Sequence, residues 1–114
     1  MIEEELPGGS TQDKKYDQGK PMVALMKRDF AKALMAVAEV TTYGVEKYNQ
    51  PGSWRLVKDA WRRYEDALGR HDLEMNKEDY DRESGLLHAA HRAWNALATL
   101  ELQLNSMSNR REDE

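Results

Sequence analysis

Apolar residues recur at helical spacing in three long segments of this 114-residue chain. The first segment runs from about Phe30 to Tyr48, the second from about Trp54 to Met75, and the third from about Ser84 to Leu104. Each has one apolar face about twenty residues long. The pattern therefore predicts an all-α fold, a small bundle of three amphipathic helices that self-association would complete.

Polar and turn-forming residues mark the predicted helix ends. Asp29 is a candidate cap for the first helix and Ser53 for the second. The short apolar run from Met22 to Met26 fits either a lone turn or an extended piece packed on the bundle. Gly44 lies inside the first helix, where glycine is unfavourable, so it predicts close approach of another backbone or of a ligand.

The ends of the chain differ in composition from the middle. Residues 1–13 and 105–114 are polar and are predicted to be flexible tails, which leaves 14–104 as a single helical domain. The chain has no cysteine, which excludes disulfides and cysteine-bound zinc. No apolar run approaches the roughly 18 residues of a membrane span. With its acidic start and no signal peptide, the protein is expected in the cytoplasm.

Formal net charge is -4, which argues against a broad nucleic-acid surface. It leaves room for a single nucleotide, because a few convergent Lys or Arg residues are enough to bind its phosphates. Candidates of that kind are Lys20, Lys47, Arg55 and Arg70. The alternative for each is a solvated surface charge, which is the commoner role of such residues. Tyr16, Trp54 and Tyr64 could stack on a base or belong to the core.

Two of the three histidines lie on the third predicted helix. At about 100° per residue, His88, His91 and Asn95 fall within an arc of about 60° at the edge of the apolar face. His71 lies on the second helix, inside its apolar arc. The alternative for each imidazole is a partly buried side chain bonded to a neighbouring helix.

Carboxylates lie close to these imidazoles in sequence: Glu65 on the second helix, and Asp81 and Glu83 in the acidic connection to the third. Mixed carboxylate and imidazole groups are ligands for Mn²⁺, Mg²⁺, Fe or Zn²⁺. The chain contains no phosphate-binding Gly-Lys-Ser/Thr loop, no dinucleotide fingerprint and no nucleophile elbow. The sequence thus predicts one metal site where the last two helices meet.

Five short motifs occur in a recognisable order. They are Lys15-Tyr16-Asp17-x-Gly19-Lys20-Pro21, Thr42-Tyr43-Gly44-Val45-Glu46-Lys47-Tyr48, Ser53-Trp54-Arg55, Tyr64-x-Asp66-Ala67-Leu68-x-Arg70-His71, and Asp81-x-Glu83-Ser84-Gly85-Leu86-x-His88-x-x-His91-x-Ala93-Trp94-Asn95. Together they cover about residues 14 to 102. This order resembles the phage and prophage dATP/dGTP diphosphohydrolase N-terminal-domain family, related to the MazG-like all-α pyrophosphohydrolases.

The resemblance implies a metal-dependent helical enzyme, a dimer or tetramer, that cuts a (deoxy)nucleoside triphosphate to the monophosphate and pyrophosphate. It favours purine nucleotides and Mg²⁺ or Mn²⁺. On this hypothesis three residues are catalytic: His71, Glu83 and His88. The metal ligands would be Glu65, Asp81, Glu83, His88 and His91. Substrate would contact Lys20, Lys47, Arg55, Arg70 and Asn95.

The sequence also departs from the MazG-like pattern, which places Glu-x-x-Glu on one helix and Glu-x-x-Asp on another. Ala36 stands three residues before Glu39, and Leu68 stands three residues after Glu65. Neither pair is present at these positions. This keeps open a second hypothesis, a non-catalytic phage helical module that binds a nucleotide or a host protein.

Overall fold

Helices make up most of the structure, a computed structural model that describes residues 18–112. In chain order they are α1 (Val23–Asp29), α2 (Ala31–Tyr48), a 3-10 turn (Ser53–Leu56), α3 (Ala60–Glu74) and α4 (His88–Glu112). No β-strand occurs among the described residues, so the all-α prediction is confirmed. The flexible tail predicted at 1–13 lies outside them.

The cap predicted for the first helix was wrong. Asp29 is the last residue of α1, and Phe30 precedes α2 without a capping hydrogen bond from its side chain. The Met22–Met26 run is neither a lone turn nor extended, since most of it lies in α1. Of the two contacts predicted at Gly44, approach of another backbone is not found. A Cβ built there would meet no described atom within 4 Å beyond its chain neighbours and the nearby backbone of its own helix.

The second predicted helix is broken near its start. Residues 53–56 form a 3-10 turn, Val57 is extended, and Asp59 has a positive φ of 57° immediately before α3. Ser53 is not the predicted cap, because it is the first residue of the 3-10 turn and follows Gly52. The helix therefore begins at Ala60, six residues later than the apolar pattern indicated.

The third helix begins later and ends later than predicted. It starts at His88, because residues 79–88 close on themselves: the Asp81 N–H donates to the Leu86 carbonyl at 2.7 Å and the His88 N–H to the Asp79 carbonyl at 2.8 Å. Gly85, with φ of 75°, turns this loop. At the other end α4 continues through Glu112, where an end at Leu104 was expected.

An aromatic cluster joins the other helices to α4. The Trp94 ring lies edge-on to Trp54 at 5.6 Å and to Tyr64 at 5.5 Å. The Tyr64 hydroxyl donates to the Trp54 carbonyl at 2.7 Å, and Trp94 Nε1 donates to Thr41 Oγ1 at 3.0 Å. Trp54 and Tyr64 thus pack against each other and α4.

The apolar core of the described chain is thin. Its buried apolar residues are only Val40, Ala90 and Ala98. Large apolar side chains on α4 stay about half exposed, at Leu97 (51%), Leu100 (50%), Leu104 (49%) and Met107 (40%). The Cα radius of gyration is 18.6 Å, against about 13 Å for a compact domain of 100 residues. Among the described helices, none is long and apolar enough to cross a membrane.

Candidate functional site

The loop of residues 79–88 is built by one short polar sequence. The Ser84 N–H donates to Asp81 Oδ2 at 2.8 Å, and Ser84 Oγ accepts the Leu86 N–H at 3.1 Å. Such side-chain bonds to nearby backbone favour turns over helix. These bonds explain why the helix predicted from Ser84 begins only at His88. They also fix the Asp81 carboxylate beside the start of α4.

Three imidazoles meet where α3 faces this loop. The Nδ1 atoms of His71 and His88 lie 2.9 Å apart, and the rings of His71 and His91 stack with centroids at 4.6 Å and planes 7° apart. His88 and His91 are buried, at 3% and 8% exposure, while His71 is half-buried. All three histidines of the chain therefore belong to one cluster.

Asp81 and Ser84 complete this cluster from the loop side. Ser84 Oγ lies 2.7 Å from His91 Nε2, and Asp81 Oδ2 lies 3.9 Å from the same nitrogen. We call the group of His71, Asp81, Ser84, His88 and His91 the histidine junction. It is assembled from α3, the loop and α4, and its polar groups contact one another inside the chain.

Burial sets the charge state of the two stacked imidazoles. Removal from water lowers the pKa of His71, with repulsion from His91 adding to the effect. Burial likewise lowers the pKa of His91, although the Asp81 carboxylate opposes that change. Both rings are therefore held neutral near pH 7, the form that can bind a metal ion or accept a proton.

Asp81 is held in its charged form by the loop. Burial on its own raises the pKa of its carboxyl, but hydrogen bonds from the Ser84 backbone N–H and side chain outweigh burial, and the net shift of the pKa is downward. The junction thus combines one carboxylate with two neutral imidazoles, His71 and His91. Hard and borderline divalent ions prefer such a mixture.

Within residues 18–112, two groups of side chains are spaced to hold an ion. In the first, one ligand atom each from His71, Asp81 and His88 lies within 4.8 Å of the others. In the second the same holds for Glu74, Glu78 and His88. Glu74 and Glu78 were not among the ligands predicted from the sequence. Their four-residue spacing was the available signal.

The predicted ligand Glu83 lies away from these groups. Its carboxylate accepts hydrogen bonds from the Tyr43 hydroxyl and from Lys47 Nζ, both at 2.5 Å. The bond with Lys47 lowers the pKa of Glu83 and raises that of Lys47. Lys47, predicted to hold phosphate, is therefore paired with a residue predicted to hold metal. Glu65, on α3, is in neither ion-spaced group.

The other predicted substrate contacts are scattered. The Arg55 guanidinium stacks over the Trp54 ring at 4.8 Å, and Asn95 is buried and donates to its own helix, to the His91 carbonyl at 2.8 Å. Lys20 and Arg70 are exposed. Of the predicted site residues, the structure brings together His71, Asp81, His88 and His91.

Comparison with known proteins identifies one family that matches most of this chain. The family described as dATP/dGTP diphosphohydrolase, N-terminal, matches residues 10–112, which includes every residue of the histidine junction. Neither the curated proteins nor the solved structures gave a match.

Proposed function

This chain belongs to the dATP/dGTP diphosphohydrolase N-terminal family, and from that premise we propose that it hydrolyses a deoxynucleoside triphosphate at the histidine junction. Water would attack the α-phosphorus, the bond to the bridging oxygen would break, and the products would be the deoxynucleoside monophosphate and pyrophosphate. The observation that carries the proposal is the convergence of His71, Asp81 and His88 within ligand spacing.

The junction fits a divalent ion by its donor set. One carboxylate oxygen and two imidazole nitrogens suit Mn²⁺ and related ions. The 2.9 Å between the Nδ1 atoms of His71 and His88 is close to the separation of neighbouring ligand atoms on one ion. An ion held by His71, Asp81 and His88 would supply charge neutralisation at the phosphates and a more acidic water.

His91 is the residue we assign to proton transfer. Its low pKa leaves it neutral near pH 7, and Ser84 Oγ, 2.7 Å from Nε2, fixes the direction of its ring. Once protonated, the imidazolium would be stabilised by the Asp81 carboxylate, 3.9 Å away. The ring stacked on it, His71, limits its movement.

The same chain is proposed to self-associate through α4. Leu97, Leu100, Leu104 and Met107 recur at spacings of three and four residues, and each is at least 40% exposed. We call them the leucine stripe. This is the heptad spacing of helices that pack in pairs. A second copy is the occupant that offers a matching stripe of the same length, so we expect a dimer or a higher even assembly.

The test of the activity is a panel of deoxynucleoside triphosphates with Mg²⁺ or Mn²⁺, scored for pyrophosphate. We expect turnover, with a loss of at least about 100-fold in Asp81→Asn, because that change removes the only carboxylate of the proposed ligand set. The matched control is Asp72→Asn, which removes the same charge from an exposed pair with Arg92. It should keep turnover within about twofold.

Absence of turnover with every nucleotide in the panel would remove the hydrolase proposal. A rise in melting temperature with nucleotide alone, without metal or turnover, would then support the second hypothesis, a binding module.

A further inference from the structure

One nitrogen of the histidine junction has no partner. His88 is 3% exposed, and its Nε2 makes no hydrogen bond with any described residue. Its other ring nitrogen, Nδ1, is engaged by His71 at 2.9 Å. Leaving a buried polar atom unpaired costs about 1–3 kcal/mol. An atom of this kind calls for a ligand.

Two carboxylates lie close to the His88 ring. Glu74 is the last residue of α3, and Glu78 follows one turn later. One oxygen from each and a ring nitrogen of His88 lie within 4.8 Å of one another. Because Nδ1 is taken by His71, the free nitrogen is Nε2. Atoms bound to one ion at about 2.1–2.4 Å lie no more than about 4.8 Å apart, so these three groups are close enough to bind the same ion.

The other contacts of the two glutamates are weak pairs with exposed basic side chains. Glu78 accepts from Arg82 Nε at 3.0 and 3.2 Å, and Glu74 lies 4.0 Å from Lys77 Nζ. The side chains of Arg82 and Lys77 are 86% and 75% exposed. Exposed pairs of this kind contribute about 0–1 kcal/mol. A cavity of about 350 Å³ lined by these four residues opens beside the carboxylates.

We propose that Glu74, Glu78 and Nε2 of His88 form a second divalent-cation site, beyond the ion proposed at Asp81. Two carboxylate oxygens and one imidazole nitrogen favour Mn²⁺ or Zn²⁺ over Mg²⁺ and Ca²⁺, which prefer oxygen alone. The two sites share one ring.

That sharing has a chemical consequence. A neutral imidazole has one lone pair on nitrogen for a ligand and one N–H. An ion on the glutamate side takes the lone pair of Nε2 and places the proton on Nδ1, where His71 accepts it. An ion on the Asp81 side takes Nδ1 and leaves the proton on Nε2. An imidazole that keeps one N–H therefore binds one ion at a time, and the two sites compete for His88.

The experiment isolates the glutamate side in the full chain carrying Asp81→Asn. Titration with Mn²⁺ by calorimetry gives the affinity, and ¹⁵N NMR of the histidine rings with Zn²⁺ shows which nitrogen is bound. We expect one ion per chain and a zinc-dependent shift on His88 Nε2. Adding Glu74→Gln and Glu78→Gln should weaken Mn²⁺ binding at least tenfold and abolish that shift.

The control in the same background is Glu39→Gln with Glu46→Gln, two exposed carboxylates on α2 that remove the same charge. It should leave the affinity within twofold, and circular dichroism should show equal helix content in all variants. Equal Mn²⁺ affinity with and without Glu74 and Glu78, or a shift on Nδ1, would overturn the site. These readouts need no turnover, so they stay informative if the hydrolase proposal fails.

Discussion

The histidine junction and the leucine stripe both include residues of α4, and they differ in which kind of side chain is buried. At the amino end of α4, the polar residues His88, His91, Asn95 and Thr99 are buried, and most of their polar atoms are bonded within the chain. Further along, large apolar side chains remain about half exposed. Within the described residues, the single chain therefore pairs all of these buried polar atoms except His88 Nε2 but leaves its apolar surface without a cover.

This difference shows which surface one chain can bury by itself and which surface needs a second copy to cover it. Burying polar groups is unfavourable unless they are bonded, so the junction must be assembled within the fold that positions it. Burying apolar area contributes about 25 cal/mol per Å² wherever the cover comes from. A second copy can supply that cover without altering the junction.

The largest expected effect comes from a charge placed in the leucine stripe. Leu100→Glu places a charge in the middle of the leucine stripe, where burial against another helix would strip it of water. We expect self-association to weaken by more than about 100-fold, measured by analytical ultracentrifugation over a range of concentrations. The control, Asn109→Glu, adds the same charge at an exposed position on the opposite side of α4 from the stripe and should change the dissociation constant less than fivefold.

A monomeric wild-type chain at all concentrations would contradict the role of the stripe. If Leu100→Glu separates the chains and Asp81 remains essential for turnover, the two regions act independently. If turnover is lost together with association, the junction depends on the second copy.

The next largest expected effect is the pH dependence of stability that the histidine junction produces. Folding lowers the pKa of His71 and His91, while the unfolded histidines titrate near about 6.5. Between those values the unfolded chain binds more protons, so stability falls as the pH falls below about 6.5. From pH 7.5 to 5.5 we expect the melting temperature to fall by at least about 4 °C.

His71→Gln is the comparison for that titration, because it removes one of the two imidazoles whose pKa is lowered by folding. The variant should show a smaller fall over the same pH range. A wild-type melting temperature that is flat from pH 7.5 to 5.5 would contradict neutral burial of these rings. The depressed pKa of Asp81 adds a further loss of stability only at more acidic pH, as its carboxylate becomes protonated.

The smallest effect tests the pair that joins the loop to α2. Lys47 and Glu83 are 40% and 61% exposed, so their attraction is weakened by water. A double-mutant cycle with Lys47→Ala and Glu83→Ala, read by urea unfolding, should give a coupling free energy below about 1 kcal/mol. A much larger coupling would mean that this pair helps to hold the loop over the junction.

The sequence by itself determined the class of fold and the family. Apolar spacing of three and four residues is a local property, so it predicted the helices that became α2, α3 and α4. The order of short motifs predicted the family that matches residues 10–112. The same local pattern also indicated that His88 and His91 share one side of a helix.

Tertiary structure decided which residues meet. The sequence could not show that Glu83 turns to Lys47, or that Glu74 and Glu78 approach His88, because the turn at Gly85 and the loop bonds of Asp81 and Ser84 set those directions. The start of α4 was misplaced for the same reason, since the side-chain bonds of Asp81 and Ser84 to the backbone outweighed apolar spacing. Contacts between distant segments depend on three-dimensional packing, and helical periodicity carries no information about them.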